Sequence, residues 1–182
     1  SKPDLFWRVF FEGGLIFWGG FIGGLILILI FLKRFEINVL NALNMSSAPL
    51  ALAHGFGRLG CLSAGCCYGK PMEGGIVFHN SPVAPNHVPL VPTQAIEAGF
   101  NFILGICLII LSSKERAKPY LANIYLFAYP LFRFIIEFYR GDDVRGFLFG
   151  VSTSQWISLL VLVGNVTWLR KRYKKAHIAR QS

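Results

Sequence analysis

The chain has 182 residues, 54% of them hydrophobic and 15% aromatic, with a mean hydropathy of +0.52. That is too apolar for a soluble domain of this size. It places the chain among all-α polytopic membrane helix bundles, in which roughly 20 apolar residues make one crossing. The formal net charge of +9 does not mark a nucleic-acid partner, because 11 of the 18 Lys and Arg fall in three clusters beside apolar stretches and leave no basic face elsewhere.

In chain order, five spans are expected within a single membrane domain covering 1–182: about 13–32, 45–63, 94–112, 119–139 and 152–169. The first carries glycine pairs at 13/14, 19/20 and 23/24. Gly19 with Gly23, and Gly20 with Gly24, give small-xxx-small spacings that admit either a neighbouring backbone or a lipid head group. Lys33 and Arg34 follow, marking a cytoplasmic end. The second span has Asn44, Ser46, Ser47 and Pro49 near its start and Arg58 near its end, yet topology requires it. Lys33 and Arg34 share a side with Lys114, Arg116 and Lys118 only if the chain crosses an even number of times between them.

Between the second and third spans, 69–93 holds five prolines, which argue against helix there. A short strand at Ile76–His79 in a small external cap is expected, followed by Thr93 as the N-cap of the third helix with Glu97 a turn later. After the fifth span come Arg170, Lys171, Arg172, Lys174, Lys175 and Arg180. The resulting topology puts the N-terminus outside and the C-terminus in the cytoplasm, with anionic inner-leaflet lipid facing the basic clusters. The chain begins with Ser and shows no signal-peptide pattern, and an outside start implies upstream sequence.

Ionisable residues inside the membrane are costly, so each is a functional candidate by default. Arg58 and Arg133 fall at similar depth near the outer ends of spans two and four. Tyr129, Arg133, Glu137 and Arg140 share one helical face. Glu137 is placed to neutralise Arg133, but one carboxylate does not balance Arg58, Arg133 and Arg140 together. The remainder is a positive pocket suited to an anion. Arginine's planar fork fits phosphate, so a phospholipid head group is one occupant and an anion pathway the other. His54, one turn before Arg58, reads as a proton acceptor or as a hydrogen-bonded structural histidine.

GFGRLG at 55–60 formally fits a dinucleotide fingerprint, but it lies in a span rather than between a strand and a helix. Its glycines bring backbone close to whatever Arg58 holds. Cys61, Cys66 and Cys67 have C-x4-C-C spacing, without a C-x2-C pair, and adjacent residues on a helix point about 100° apart. No metal is expected from this pattern. The cysteines read as small apolar packing residues, with an external disulfide from Cys61 to Cys66 or Cys67 as the alternative.

Four blocks resemble one family. GRLGCLSAGCCYGKP at 57–71 resembles the signature of bacterial prolipoprotein diacylglyceryl transferases, and YPLFRFIIEFYRGDD at 129–143 resembles that family's second arginine motif. EGGLIFWGGFIGG at 12–24 is similar to its Gly-rich helix and VPTQAIEA at 91–98 to its Pro-Ser-Gln motif. The resemblance implies transfer of the diacylglyceryl group of phosphatidylglycerol to the lipobox cysteine thiol of a prolipoprotein, without a cofactor. It also implies a multi-pass enzyme of the bacterial inner membrane whose site faces the outer leaflet.

The family's two arginines then fall on Arg58 and Arg133, its glycines on Gly57, Gly60 and Gly69, its tyrosine on Tyr129 and its glutamate on Glu137. With His54 these supply the catalytic candidates. Gly19, Gly20, Trp18, Gln94 and Arg140 join the glycines as substrate-binding candidates. The chain departs from the pattern at Cys61 and Cys66, where the family keeps asparagine and glutamate, at Trp18, where it has a histidine proposed as the base, and at Val91. The alternative function is that of a non-catalytic homologue binding lipid or protein.

Overall fold

The computed structural model describes residues 15–141, 147–148 and 150–178. The chain forms two compact units, Ser1–Ala42 and Leu43–Ser182. Five α-helices are present among the described residues: α1 Leu15–Arg34, α2 Val39–Ala64, α3 Thr93–Ser112, α4 Leu121–Ile136 and α5 Thr153–Ile178. Short 3₁₀ turns at Lys118–Tyr120 and Glu137–Tyr139 extend α4 at both ends. Among the described residues, two helical segments, Thr93–Ser112 and Lys118–Tyr139, are long and apolar enough to cross a membrane. The polar residues that α2 carries, from Asn41 to Arg58, lower its apolarity.

In the first unit, α1 ends in Lys33 and Arg34, the charge sign that suits the partial negative charge of a helix C-terminus. Asn38 caps α2, its Oδ1 accepting from the N–H groups of Leu40 (2.9 Å) and Asn41 (3.2 Å).

In the second unit, the core is the seam of α2, α3 and α4, where Ala48, Ala51, Leu104, Leu108, Leu121 and Tyr125 bury one another. Two glycines let α2 and α3 approach. A Cβ on Gly55 would meet the Phe102 ring at 2.7 Å, and one on Gly105 would meet Leu52 at 2.6 Å. Buried amides then cross-link helices: Asn44 Oδ1 accepts from Ala122 N–H (2.9 Å), and Asn123 Nδ2 donates to Asn165 Oδ1 (2.6 Å). Outward positions are apolar instead, with Ile103, Ile106 and Ile110 on α3 and Ile157, Leu160 and Val163 on α5 exposed. This is the reverse of a water-soluble bundle and fits lipid as the surrounding medium.

α5 begins with a reciprocal cap. Ser152 Oγ accepts from Gln155 N–H (3.2 Å) while Gln155 Oε1 accepts from Ser152 N–H (3.0 Å).

The segment between α2 and α3 forms β1 (Pro71–Val77) and β2 (Pro89–Leu90), paired antiparallel with a register break between Pro71 and Ile76. The strand starts earlier than the expected Ile76 and ends at Val77, because Gly75 lies flat against the Leu90 backbone, where a Cβ would come within 2.3 Å. A second pair, β3 (Phe147–Leu148) and β4 (Val151–Ser152), precedes α5. Thr93 does not cap α3 as expected: the N-cap position is Pro92, without a side-chain cap, and Thr93 Oγ1 instead donates to Cys67 O (2.8 Å). A long-range partner has replaced the local one.

Candidate functional site

The site is assembled by backbone clamping of residues 68–70 between two other segments. Gly69 N–H donates to Val91 O (3.1 Å) and Val91 N–H to Lys70 O (2.9 Å), while Lys70 N–H donates to Tyr139 O (2.9 Å) and Gly141 N–H to Tyr68 O (3.1 Å). There is no room for side chains at the crossing points. A Cβ on Gly69 would lie 2.5 Å from Val91 O, and one on Gly141 would lie 2.6 Å from Gly69 O. The clamp turns the chain extended at Arg140 as it leaves α4, so that Arg140 pairs with Gly69 through its backbone.

Beneath the clamp, three arginines converge on Glu97, which α3 buries completely. Arg58 Nη2 from α2 lies 3.2 Å from Glu97 Oε1, Arg133 Nη1 from α4 lies 3.7 Å from the same oxygen, and Arg140 Nη1 lies 3.7 Å from Oε2. Arg133 also holds Glu137 at 2.7 Å and donates to Ser154 Oγ on α5 (3.2 Å). Among the described residues, three arginines meet two carboxylates, Glu137 and Glu97, rather than Glu137 alone. Glu97 is the correction: it supplies the second carboxylate.

The contacts to Glu97 are charge contacts, since neither of its oxygens accepts a hydrogen bond. Arg58 Nε and Gln94 Oε1 are likewise buried without a hydrogen-bond partner. Buried ion pairs add little net stability once desolvation is counted, and buried polar atoms left unpaired call for an explanation. Together they make this cluster the candidate site.

Beside this cluster, Tyr129 Oη and His54 Nε2 lie 3.3 Å apart, their rings in contact at 4.5 Å between centroids. Tyr129 also interacts with the Arg58 guanidinium. Glu137, by contrast, is committed to Arg133.

The structure thus brings together Arg58, Arg133, Arg140, Glu137, Tyr129 and His54. Gln94 is fully buried one turn before Glu97 and donates from Nε2 to Cys66 O (2.7 Å). Gly69 works through the clamp. Among the described residues, nothing lies within 4 Å of a Cβ built on Gly57 or Gly60, so both leave open space beside Arg58. Trp18, Gly19 and Gly20 belong to α1 in the first unit, and their side-chain positions lie outside the described residues. Glu97 was legible as part of a polar stripe, Gln94, Glu97 and Asn101, recurring at helical spacing along an otherwise apolar helix.

The cysteines also differ from expectation. α2 ends at Ala64, so Cys66 and Cys67 lie beyond the helix. The helical angle between neighbours does not apply to them, and the three sulfurs of Cys61, Cys66 and Cys67 lie within 4.8 Å of one another. No disulfide joins them. Burial, with the two neighbouring thiols, pushes Cys66 up to about 11.

A model of the prolipoprotein diacylglyceryl transferase family matches residues 5–170. The chain is 39% identical over 165 residues to the phosphatidylglycerol--prolipoprotein diacylglyceryl transferase of Clostridium tetani, covering 89% of this chain and 66% of that protein. It is 40% identical over 168 residues to phosphatidylglycerol--prolipoprotein diacylglyceryl transferase 2 of Clostridium perfringens, covering 91% and 65%. The similarity to the enzyme of that name from Chlorobaculum tepidum is 32% over 171 residues, covering 91% and 59%. The chain therefore spans just under two thirds of the length of the two clostridial relatives.

Proposed function

The chain belongs to the prolipoprotein diacylglyceryl transferase family, and from that membership we propose that it transfers the diacylglyceryl group of phosphatidylglycerol to the thiol of a prolipoprotein lipobox cysteine. The observation that carries the reading is the convergence of Arg58, Arg133 and Arg140 on the fully buried Glu97. Glu97 holds the guanidiniums together, and the arginine cluster takes the phosphate oxygens of the lipid. The open side of α2 at Gly57 and Gly60 gives the glycerol backbone access to Arg58.

In the reaction, the thiolate attacks the glycerol carbon next to phosphate. A carbon–sulfur bond forms, the carbon–oxygen bond breaks, and the electron pair leaves with glycerol phosphate. The arginines stabilise the charge growing on that leaving group. The proton of the thiol, whose pKa is ordinarily about 8.5, passes to the His54 and Tyr129 pair. Glu137 is a poorer base because its carboxylate is held against Arg133. The enzyme works in the bacterial inner membrane as a multi-pass protein, with this site toward the outer leaflet and the C-terminus in the cytoplasm.

The test is rescue of a bacterial strain depleted of its own transferase, together with transfer of radiolabelled diacylglyceryl from phosphatidylglycerol to a lipobox peptide. Arg58→Ala and Arg133→Ala should each abolish both. Transfer surviving in either variant would remove that arginine from the mechanism. Absence of rescue by a folded wild-type chain would instead leave a lipid- or protein-binding homologue.

A further inference from the structure

Cys61, Cys66 and Cys67 take no part in the proposed transfer, yet their sulfurs converge, and the cause lies in how α2 ends. Gly65 adopts the left-handed region at φ 69°, its N–H donates to Leu62 O (3.2 Å), and Cys66 N–H donates to Cys61 O (3.1 Å). These two bonds are the Schellman closure of a helix, which brings the side chain three positions inside the end against the one two positions beyond it. Hydrophobic residues usually fill those positions, and here both are cysteines. Cys67 then also turns left-handed, at φ 61°. For a non-glycine residue this conformation is strained and persists only where surrounding contacts enforce it.

Those contacts come from α3. Gln94 Nε2 holds Cys66 O at 2.7 Å and Thr93 Oγ1 holds Cys67 O at 2.8 Å, so the turn carrying two of the sulfurs is fixed from outside. Arg58, one turn before Cys61 on α2, interacts electrostatically with Cys67. All three cysteines are partly exposed and within reach of solution.

We propose that Cys61, Cys66 and Cys67 form a three-thiolate site for one thiophilic divalent metal ion of the zinc class. Zinc–sulfur bonds of about 2.3 Å at tetrahedral angles need sulfurs about 3.8 Å apart. The sulfurs here, all within 4.8 Å of one another, have to close by about 1 Å or less. Soft thiolates select zinc and its heavier congeners over magnesium or calcium. Binding breaks three S–H bonds, forms three metal–sulfur bonds and releases three protons to solvent. No electrons change hands, and the product carries one net negative charge. The fourth coordination position stays available to water. The site is independent of the transfer reaction and is tested without it.

The full chain carrying Cys107→Ser, which removes the fourth thiol, is purified in detergent under reducing conditions and titrated with Cd2+, followed by the sulfur-to-cadmium absorption band. One ion per chain is expected, with release of three protons into weak buffer and displacement by excess Zn2+. Cys61→Ser and Cys66→Ser should each weaken binding at least 100-fold, with thermal melting confirming that the variants are folded. As a measurement that needs no variant of the site, Cd2+ should protect all three cysteines from maleimide, read by peptide mass spectrometry. Weak binding unchanged by the serine substitutions, equal labelling with and without Cd2+, or a Cys61–Cys66 disulfide in protein isolated without reductant would each overturn the proposal.

Discussion

The Arg58 guanidinium lies 3.2 Å from the carboxylate of Glu97, a buried charge contact that joins α2 to α3. Around that contact the rest of the site is arranged. Arg133 and Arg140 reach the same carboxylate from one helix and the segment that follows it. Glu97 lets three guanidiniums that would otherwise repel one another lie close together.

Glu97→Gln should destabilise the protein by about 3–5 kcal/mol, the usual cost of leaving a buried charge without its partner. Thermal unfolding in detergent measures it. Glu137→Gln should cost less, since Arg133 keeps Glu97 and Ser154. Equal stability of Glu97→Gln and wild type would mean that the contacts of Glu97 to the arginines add no net stability.

Arg133→Lys retains the charge but not the fork. One ammonium cannot reach Glu97, Glu137 and Ser154 together as the guanidinium does. Transfer efficiency, kcat/KM toward a lipobox peptide, should fall by roughly 10- to 100-fold, about 1.4 kcal/mol for each tenfold. Full activity in the lysine variant would show that only the charge is used.

Tyr129→Phe and His54→Gln probe the proton path. If the pair at 3.3 Å accepts the thiol proton, either change should lower transfer by roughly 10²- to 10⁴-fold. The rising limb of the pH–rate profile should flatten as well, because a base works only in its deprotonated form. A lower rate with an unchanged profile shape would assign the pair to packing.

Glycine substitutions separate the clamp from the open face. Gly69→Ala should cost about 1–3 kcal/mol of stability through overpacking against Val91. Gly57→Ala and Gly60→Ala should stabilise α2 by roughly 1 kcal/mol each, as alanine does in place of glycine in a helix interior, while transfer falls because the added methyl enters the space beside Arg58. Unimpaired transfer in both would show that the lipid does not use that space.

Much of this site could be read from local pattern. Helical spacing along α4 put Tyr129, Arg133, Glu137 and Arg140 on one face, and Arg133 does hold Glu137 at 2.7 Å, whereas Arg140 has left the helix and is extended. The cost of an intramembrane arginine singled out Arg58. Thr93 and Glu97 were misread for one shared reason. Both fit a local helix-start pattern, yet both spend their polar atoms on distant segments, Thr93 on Cys67 and Glu97 on Arg58. Ser152 and Gln155 form a capping box that the sequence displays openly at S-x-x-Q.

By itself the sequence determined the helices, the apolar outward faces and the arginines that a lipid medium would tolerate only for a purpose, since these follow from composition and from repeats a few residues long. Tertiary structure alone decided which carboxylate answers those arginines and where the cysteine sulfurs lie. Glu97 meets Arg58 because glycines at 55 and 105 let α2 and α3 come close. Cys61 meets Cys66 and Cys67 because the chain leaves the helix at Gly65 and is held by α3. Periodicity describes one element at a time, whereas these contacts depend on packing between elements.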